Sequence, residues 1–363
     1  MCSSDLVIVP APAQGAVTIA PSGTFSVTDP AGNATTTAGG TDRSVTFDSA
    51  VPTITLTQAT GQADPAKTSP VAFTLTGSET LDASTVTSAD FTTNNGVVTV
   101  SGSGTTYTVS IAPATDGTVL VGLAPSFSVA DLAGNAATTA TGADRSVTYD
   151  STAPRVTIDQ SSGQADPTNT NGSIAFTAVF SEALSVAPTT ANFTLAMTNG
   201  ATGFTVKSVT LVSGTTYTVI VGGNGGSNNG TVTLTMAAGV VTDLAGNSNL
   251  ASSSTDNSVT YSTVAPVLTL AQAATQADPT SGTAIRFAMS SNVNLNTTTV
   301  TTSDFTAGNG TVSSVGCAGS PTVCTITVTP TAQGAVTINK SATFSVSDPN
   351  ALTATTVTLG DVS

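Results

Sequence analysis

The sequence predicts an all-β protein made of tandem modules, each the size of one two-layered sandwich. Three observations predict it: a composition of strand and turn formers, motifs that repeat in fixed register, and short alternating runs between those motifs. Thr, Ser, Gly, Ala and Val dominate the 363 residues, and charged residues make up only 8%. β-branched Thr and Val suit a pleated surface, whereas Gly, Asp and Asn suit turns. Disorder needs low hydrophobicity with high charge, and the mean hydropathy here is +0.24. The length is enough for two to four ordinary domains.

The repeats carry the most information. Gln62-Ala63-Asp64-Pro65 returns as Gln164-Ala165-Asp166-Pro167 and Gln276-Ala277-Asp278-Pro279, at offsets of 102 and then 112 residues. Val51-Pro52, Ala153-Pro154 and Ala265-Pro266 keep the same offsets. So do Ser44-Val45-Thr46-Phe47, Ser146-Val147-Thr148-Tyr149 and Ser258-Val259-Thr260-Tyr261. Asp29-Pro30-Ala31-Gly32-Asn33 returns as Asp131-Leu132-Ala133-Gly134-Asn135 and Asp243-Leu244-Ala245-Gly246-Asn247, and a decayed copy starts at Asp348-Pro349. A period near 100 residues is too long for a solenoid coil or a propeller blade. It is the size of one immunoglobulin-type sandwich of about seven strands.

Each element of the first full repeat follows from alternation and turn residues. Thr53-Ile54-Thr55-Leu56-Thr57 opens it and Val71-Ala72-Phe73-Thr74-Leu75 follows, both with period two. Strands are then expected at 97–100, 106–111, 118–121 and 127–129, and Arg145-Ser146-Val147-Thr148-Tyr149 closes the module. No stretch has a helical period with caps. Residues 1–6 (MCSSDL) have no counterpart in the repeats and read as a translated scar. Residues 7–50 read as the closing strands of a partial module, 51–152 and 153–263 as full modules, and 264–363 as a third that stops before its final strand. The junctions are short and contain Pro, which predicts an extended rod.

D-x-A-G-N, then S-V-T-[FY]-D, then A-P and a new alternating strand resemble the bacterial Ig-like repeats of large secreted or surface adhesins. The resemblance covers nearly the whole chain after residue 6. It implies an extracellular or cell-surface location and a spacer role that holds a binding domain away from the cell.

Composition excludes several functions. Seven basic residues against twenty-one acidic ones, a net charge of −14, leave no basic stripe for nucleic acid. No apolar run is long enough to span a membrane as a helix. With no His in the chain, Ser-His-Asp and Cys-His arrangements are impossible. A carboxylate pair could serve a glycosidase, but Asp recurs at turn positions in every module, which reads as architectural. Lys67, Lys207 and Lys340 do not align between modules, so a repeated isopeptide bond is rejected. The expectation is a non-enzyme.

The candidate sites are carboxylates and cysteines. In an immunoglobulin-type topology the loop with Gln-Ala-Asp-Pro lies at one end of a module. The Ser-Glu loop and the D-x-A-G-N hairpin lie at the other. Stacked modules would then gather Asp48, Glu79 and Asp131 at one junction, and Asp64, Asp150, Glu182 and Asp243 at the next. Clustered carboxylates repel, and Ca²⁺, which takes six to eight oxygen ligands, is the natural relief. The competing reading is that these Asp residues only bond turn amides. Ser262 and Asn292 replace the linker Asp and the loop Glu before the third module, which predicts weaker binding there. Asp42-Arg43 and Asp144-Arg145 recur before the closing strand and read as solvated pairs of little energetic weight, the alternative being an ion-pair or hydrogen-bonding role at the strand entry. Phe73, Phe176 and Phe287 share one strand position and mark the core. Tyr107 and Tyr217 share another, as core or corner residues.

Cys317 and Cys324 fall where the first module has a hairpin, so they either form a disulfide or remain a free pair. With no other Cys or His nearby, four zinc ligands cannot be assembled. The partners expected are neighbouring modules of the same chain. The alternative readings are a glycan- or host-surface-binding array, with the Gly/Asn-rich insertion at 222–230 as its first place to look, and an accessory array of a secreted enzyme.

Overall fold

The computed structural model describes residues 14–21, 23–37, 39–198, 201–223, 229–317 and 321–361. Residues 1–6 and most of the 222–230 insertion lie outside them. Strands are the dominant regular elements, and the helical elements among the described residues are 3₁₀ turns of three residues. It divides into two compact units. One runs to Thr152 and includes Leu244–Asn247; the other holds Ala153–Asp243 and the residues from Ser248 onward.

In the first unit, two sheets enclose one core. The first sheet orders its antiparallel strands as Ile54–Gln58, Val71–Gly77, Thr106–Ala112 and Val97–Ser103. The second orders Phe91–Thr93, Gly117–Leu123 and Ser146–Tyr149. In chain order this is the A-B-E-D and C-F-G arrangement of an immunoglobulin-type sandwich. The second unit repeats it. Val156–Gln160, Ile174–Phe180, Thr216–Gly223 and Phe204–Ser213 form one sheet, and Thr194–Met197, Gly230–Thr235 and Ser258–Tyr261 the other. A further module follows, with Leu268–Gln272, Ile285–Ser291, Val323–Pro330 and Gly310–Gly316 in one sheet and Phe305–Gly308 paired with Thr337–Lys340 in the other.

The alternation in the sequence becomes the inside and outside of these sheets. Along Val71–Gly77, every second residue is buried. Phe73, Phe176 and Phe287 are at most 1% exposed, one in each of three separate hydrophobic cores. Tyr107 and Tyr217 are buried in the same register, opposite Leu75 and Ala178. The third module puts Cys324 at that place, opposite Met289, with its sulfur 2.01 Å from that of Cys317. The bridge therefore fills the corner that a tyrosine ring fills in the other two modules.

Three features escaped the sequence pattern. The strand Phe91–Thr93 is only three residues long, too short to show alternation. It follows a 3₁₀ turn, Ser88–Asp90, closed by Thr87 and Asp90: the Asp90 carboxylate accepts from the Thr87 amide and hydroxyl, both at 2.8 Å. Thr301 and Asp304 repeat this closure, with Asn192 replacing the acid after Thr189. The third is a short strand, Ala140–Thr141, that runs parallel to the opening strand and extends the first sheet.

Residues 14–50 hold two ladders, Gly15–Thr18 with Ser44–Phe47 and Val27–Thr28 with Ala34–Thr35. Their counterparts in the complete module are Gly117–Leu123 with Ser146–Tyr149 and Val129–Ala130 with Ala136–Ala137. Among the described residues, Val45 is 72% exposed, whereas its counterpart Val147 is fully buried.

Candidate functional site

The site is assembled from a linker, a loop and a turn of the first unit. Asp48 follows the Ser44–Phe47 strand. Its carboxylate accepts from the Ala50 amide at 3.0 Å and from Gln14 Nε2 at 2.9 Å, which sets the path of the Val51-Pro52 linker.

Glu79 sits in the loop after Val71–Gly77. Ser78 fixes this loop to the start of the module: its amide donates to the Thr53 carbonyl, and its hydroxyl accepts from the Thr53 amide, both at 2.9 Å. Leu81 anchors the other side of the loop in the core. A Cβ at Gly77 would come within 2.9 Å of Leu81 Cδ2, so a side chain there would have to displace the tip of Leu81.

Asp131 opens the turn of the Asp-Leu-Ala-Gly-Asn motif. Its Oδ1 accepts from the amides of Ala133 and Asn135 at 2.8 and 2.9 Å, and its Oδ2 accepts from Asn135 Nδ2 at 2.8 Å. Gly134 supplies the positive φ of 89° that such a turn needs. The same Asn135 nitrogen donates to the Asp48 carbonyl at 3.2 Å, so the turn also holds the linker. An isolated bridge between Leu81 and Asp131 joins the Glu79 loop to this turn.

The result is one carboxylate oxygen from each of Asp48, Glu79 and Asp131, all within 4.8 Å of one another. Asp131 is buried and the other two are half-buried. The electrostatics differ by residue. The hydrogen bond from the Asn135 side chain, with the turn amides, holds Asp131 below the usual carboxylate range. Desolvation, with the charges of Asp48 and Asp131 beside it, pushes Glu79 up. Without a cation, the repulsion within the trio therefore falls most heavily on Glu79.

The sign of the pH effect follows from these directions. Raised in the folded state, Glu79 binds its proton more tightly than in the unfolded chain, so it costs stability as pH rises through its folded value. Asp131 contributes stability above the ordinary carboxylate value, which is lost as pH falls through its lowered one. Urea unfolding in EDTA should therefore give an acidic optimum for the 51–152 module. Glu79→Gln should abolish the decline on the alkaline side of that optimum. A decline that survives in the variant would assign it to another group.

The other sequence candidates are placed as follows. The Asp64 carboxylate accepts from the Thr148 amide at 2.9 Å, tying the first loop to the closing strand; Asp166 does the same for Thr260 at 2.9 Å. Asp150 belongs to the first unit, where its amide donates to the Ala66 carbonyl at 2.9 Å and its carboxylate accepts from the Thr152 amide at 3.0 Å. Glu182 and Asp243 belong to the second unit. There Asp243 is 1% exposed and bridged to Leu184, as Asp131 is to Leu81. Before the third module, Asn292 takes the role of the loop serine, with its Oδ1 accepting from the Val267 amide at 2.6 Å. Asp348 occupies the turn position, but Leu352 replaces the Asn whose side chain holds the linker in the first unit. The Arg145 guanidinium donates to the Ala140 carbonyl at 2.6 Å, a bond within the module.

Two carboxylates that sequence reading passed over also act within their modules. Asp116 accepts from the Ser151 amide and hydroxyl at 3.0 and 2.8 Å and from the Thr152 hydroxyl. Asp159 accepts from the amides of Thr255 and Asp256 at 2.9 and 3.0 Å. Neither has an acidic counterpart in the other modules, so no repeat marks them.

No protein-family model matches the chain, and no curated protein does. Among solved structures, the chain is similar to FdeC, an Escherichia coli adhesin, at 17% identity and a TM-score of 0.33, over 81% of this chain and 92% of that one. It is similar to the Yersinia pseudotuberculosis adhesin InvE at 16% identity and a TM-score of 0.25, over 59% of this chain and 60% of that one. For domains 4–9 of the surface layer protein SbsC the values are 13% and 0.23, over 86% of this chain and 48% of that one. The chain thus spans less than two thirds of the InvE and SbsC structures. The assignment of the fold rests on the strand order itself.

Proposed function

We propose that the chain is a non-catalytic spacer segment of an extracellular or cell-surface protein, and that Ca²⁺ bound by Asp48, Glu79 and Asp131 stiffens its linker. The observation that carries the cation reading is the meeting of three carboxylates, one each from linker, loop and turn, within 4.8 Å. A hard divalent cation would take an oxygen from each and complete its shell with water. It would offset the repulsion that raises Glu79 and bind the linker to the module that follows. In the third module, Ser262, Val293 and Asp348 stand at these positions, since Asn292 takes the serine's place and not the glutamate's; that set has one carboxylate in place of three and should bind less well. Self-contained cores in series suit a load-bearing spacer, and the motif resemblance to bacterial Ig-like repeats supports that role. The bonded Cys317 and Cys324 support an oxidising, extracellular location.

Thermal unfolding of the full chain tests this reading. A ligand of the folded state stabilises by mass action, so millimolar Ca²⁺ should raise the first unfolding midpoint over that in EDTA by roughly 5 °C or more. Glu79→Gln should remove most of the part that belongs to the first unit. Equal midpoints in Ca²⁺ and EDTA would end the cation reading and leave a spacer held by sandwich packing.

A further inference from the structure

Among the described residues the chain holds four Asn-Gly pairs, at Asn95, Asn171, Asn229 and Asn309; two more, at 199–200 and 224–225, lie outside them. In such a pair the glycine amide nitrogen can attack the carbonyl carbon of the Asn side chain, because glycine has no side chain to obstruct the ring that closes. The reaction needs an amide that bonds nothing else, an Asn side chain free to turn, and water.

Three of the four pairs are locked. Asn95 is half-buried; its Oδ1 accepts from the Ala114 and Thr115 amides at 3.1 and 3.2 Å, and its Nδ2 donates to the Thr115 carbonyl at 2.8 Å. Asn309 is half-buried, and its Nδ2 donates to the Ala332 carbonyl at 3.1 Å. Asn229 accepts from the Ser262 hydroxyl, and Gly230 is buried in the ladder with Ser258–Tyr261.

Asn171-Gly172 differs on every count. From Asp166 to the strand start at Ile174 the loop spans one residue more than from Asp64 to Val71. The first and third modules carry Ser69-Pro70 and Thr283-Ala284 before this strand, so only the second brings an Asn-Gly pair there. Asn171, Gly172 and Ser173 are all exposed. No hydrogen bond among the described residues uses the Asn171 side chain or the Gly172 amide. The loop is still held in place, because the Gly223 amide donates to the Asn171 carbonyl at 2.9 Å.

We propose that Asn171-Gly172 modifies itself in the folded protein. The Gly172 nitrogen bonds Asn171 Cγ and loses its proton to solvent base; the side-chain nitrogen takes a proton from water and leaves as ammonia, giving a succinimide. Water then opens either imide carbon–nitrogen bond. One product is aspartate. The other is isoaspartate, in which the main chain runs through Cβ and Cγ and the former Asn171 carbonyl becomes a free carboxylate. Either adds a negative charge to a chain already at −14. Isoaspartate also takes away the main-chain acceptor of Gly223, at the end of the Thr216–Gly223 strand. The loop therefore ages chemically while the core beneath it stays folded. The inference stands apart from the cation reading.

Timed incubation of the full chain at mildly alkaline pH, native and in urea, followed by peptide mass spectrometry, tests it. In urea all four pairs should react at comparable rates. In the folded chain Asn171 should keep its unfolded rate to within a few-fold. Asn95, Asn229 and Asn309 react only through an opened state and should slow by about a hundredfold or more. Gly172→Ala should slow the Asn171 reaction by about tenfold or more, since a Cβ then stands beside the attacking nitrogen. It should leave the thermal midpoint unchanged, because nothing lies within 4 Å of a Cβ built at Gly172. The isolated isoaspartyl chain should exchange its Gly223 amide about tenfold faster than the parent. A folded-state rate at Asn171 as slow as at the other three sites would overturn the inference. So would a Gly172→Ala chain that reacts at the parent's rate. Unchanged exchange at Gly223 would overturn the loss of its acceptor.

Discussion

Truncating Phe73 to Ala should destabilise the 51–152 module by about 3–5 kcal/mol, the range for removing a large aromatic from a core. Phe73 has no exposed surface and lies on the Val71–Gly77 strand between Gln58 and Val109. Its ring fills the space between the two sheets, and the rigid sheets cannot collapse to close the cavity. The three cores share no residue, so the loss should stay local. Hydrogen exchange by mass spectrometry on the full chain reads both points. Exchange of the protected amides in 54–149 should accelerate by a few hundred-fold or more, taking 1.4 kcal/mol as tenfold. Amides in 156–261 and 268–354 should be unchanged. Equal acceleration in all three segments would show that the modules unfold as one.

Gly142→Ala should be comparably damaging through the backbone. Gly142 holds φ at +134°, and a Cβ built there would lie 2.0 Å from the Leu56 carbonyl oxygen and 2.9 Å from its carbon. The contact is with main chain inside a parallel ladder, Ala140–Thr141 against Ile54–Thr55, so no rotamer change relieves it. Relief requires separating the ladder and the bond that the Gln58 amide donates to the Asp144 carbonyl at 2.7 Å. Strained backbone costs about 1–3 kcal/mol and overpacking a similar amount, so a total near 3 kcal/mol or more is expected. Denaturant unfolding followed by tyrosine emission should show the transition of this module at lower urea. A midpoint unchanged from the parent would mean that the parallel strand is not part of the folded module in solution.

The candidate site was legible in its ingredients and only partly in its use. Asp131 could be singled out because Asp-x-Ala-Gly-Asn recurs. That motif is a complete hydrogen-bonding unit, since Asp29 makes the same bonds to Ala31 and Asn33 and belongs to no carboxylate trio among the described residues. Asp64 recurs as faithfully, and its recurrence reflects a tie to the closing strand. Recurrence of an acid therefore marks a backbone duty at least as readily as a cation. Asp116 and Asp159 show the converse, acids with local duties and no repeat to mark them.

By itself the sequence determined the class of fold, the module period and the core. Alternation with period two decides which face of a strand is apolar, and turn residues decide where strands stop; both are local properties. The register of the repeats then carried each assignment from one module to the next. Tertiary structure alone decided the rest. It set how closely Asp48, Glu79 and Asp131, which the topology read from the sequence already gathers, approach one another: one oxygen of each lies within 4.8 Å of the others, because linker path, loop closure and turn geometry fix positions that no repeat encodes. It also decided which acids tie loops to strands, as Asp64 does for Thr148, because a hydrogen bond depends on what packs alongside a residue, which the residue itself does not encode.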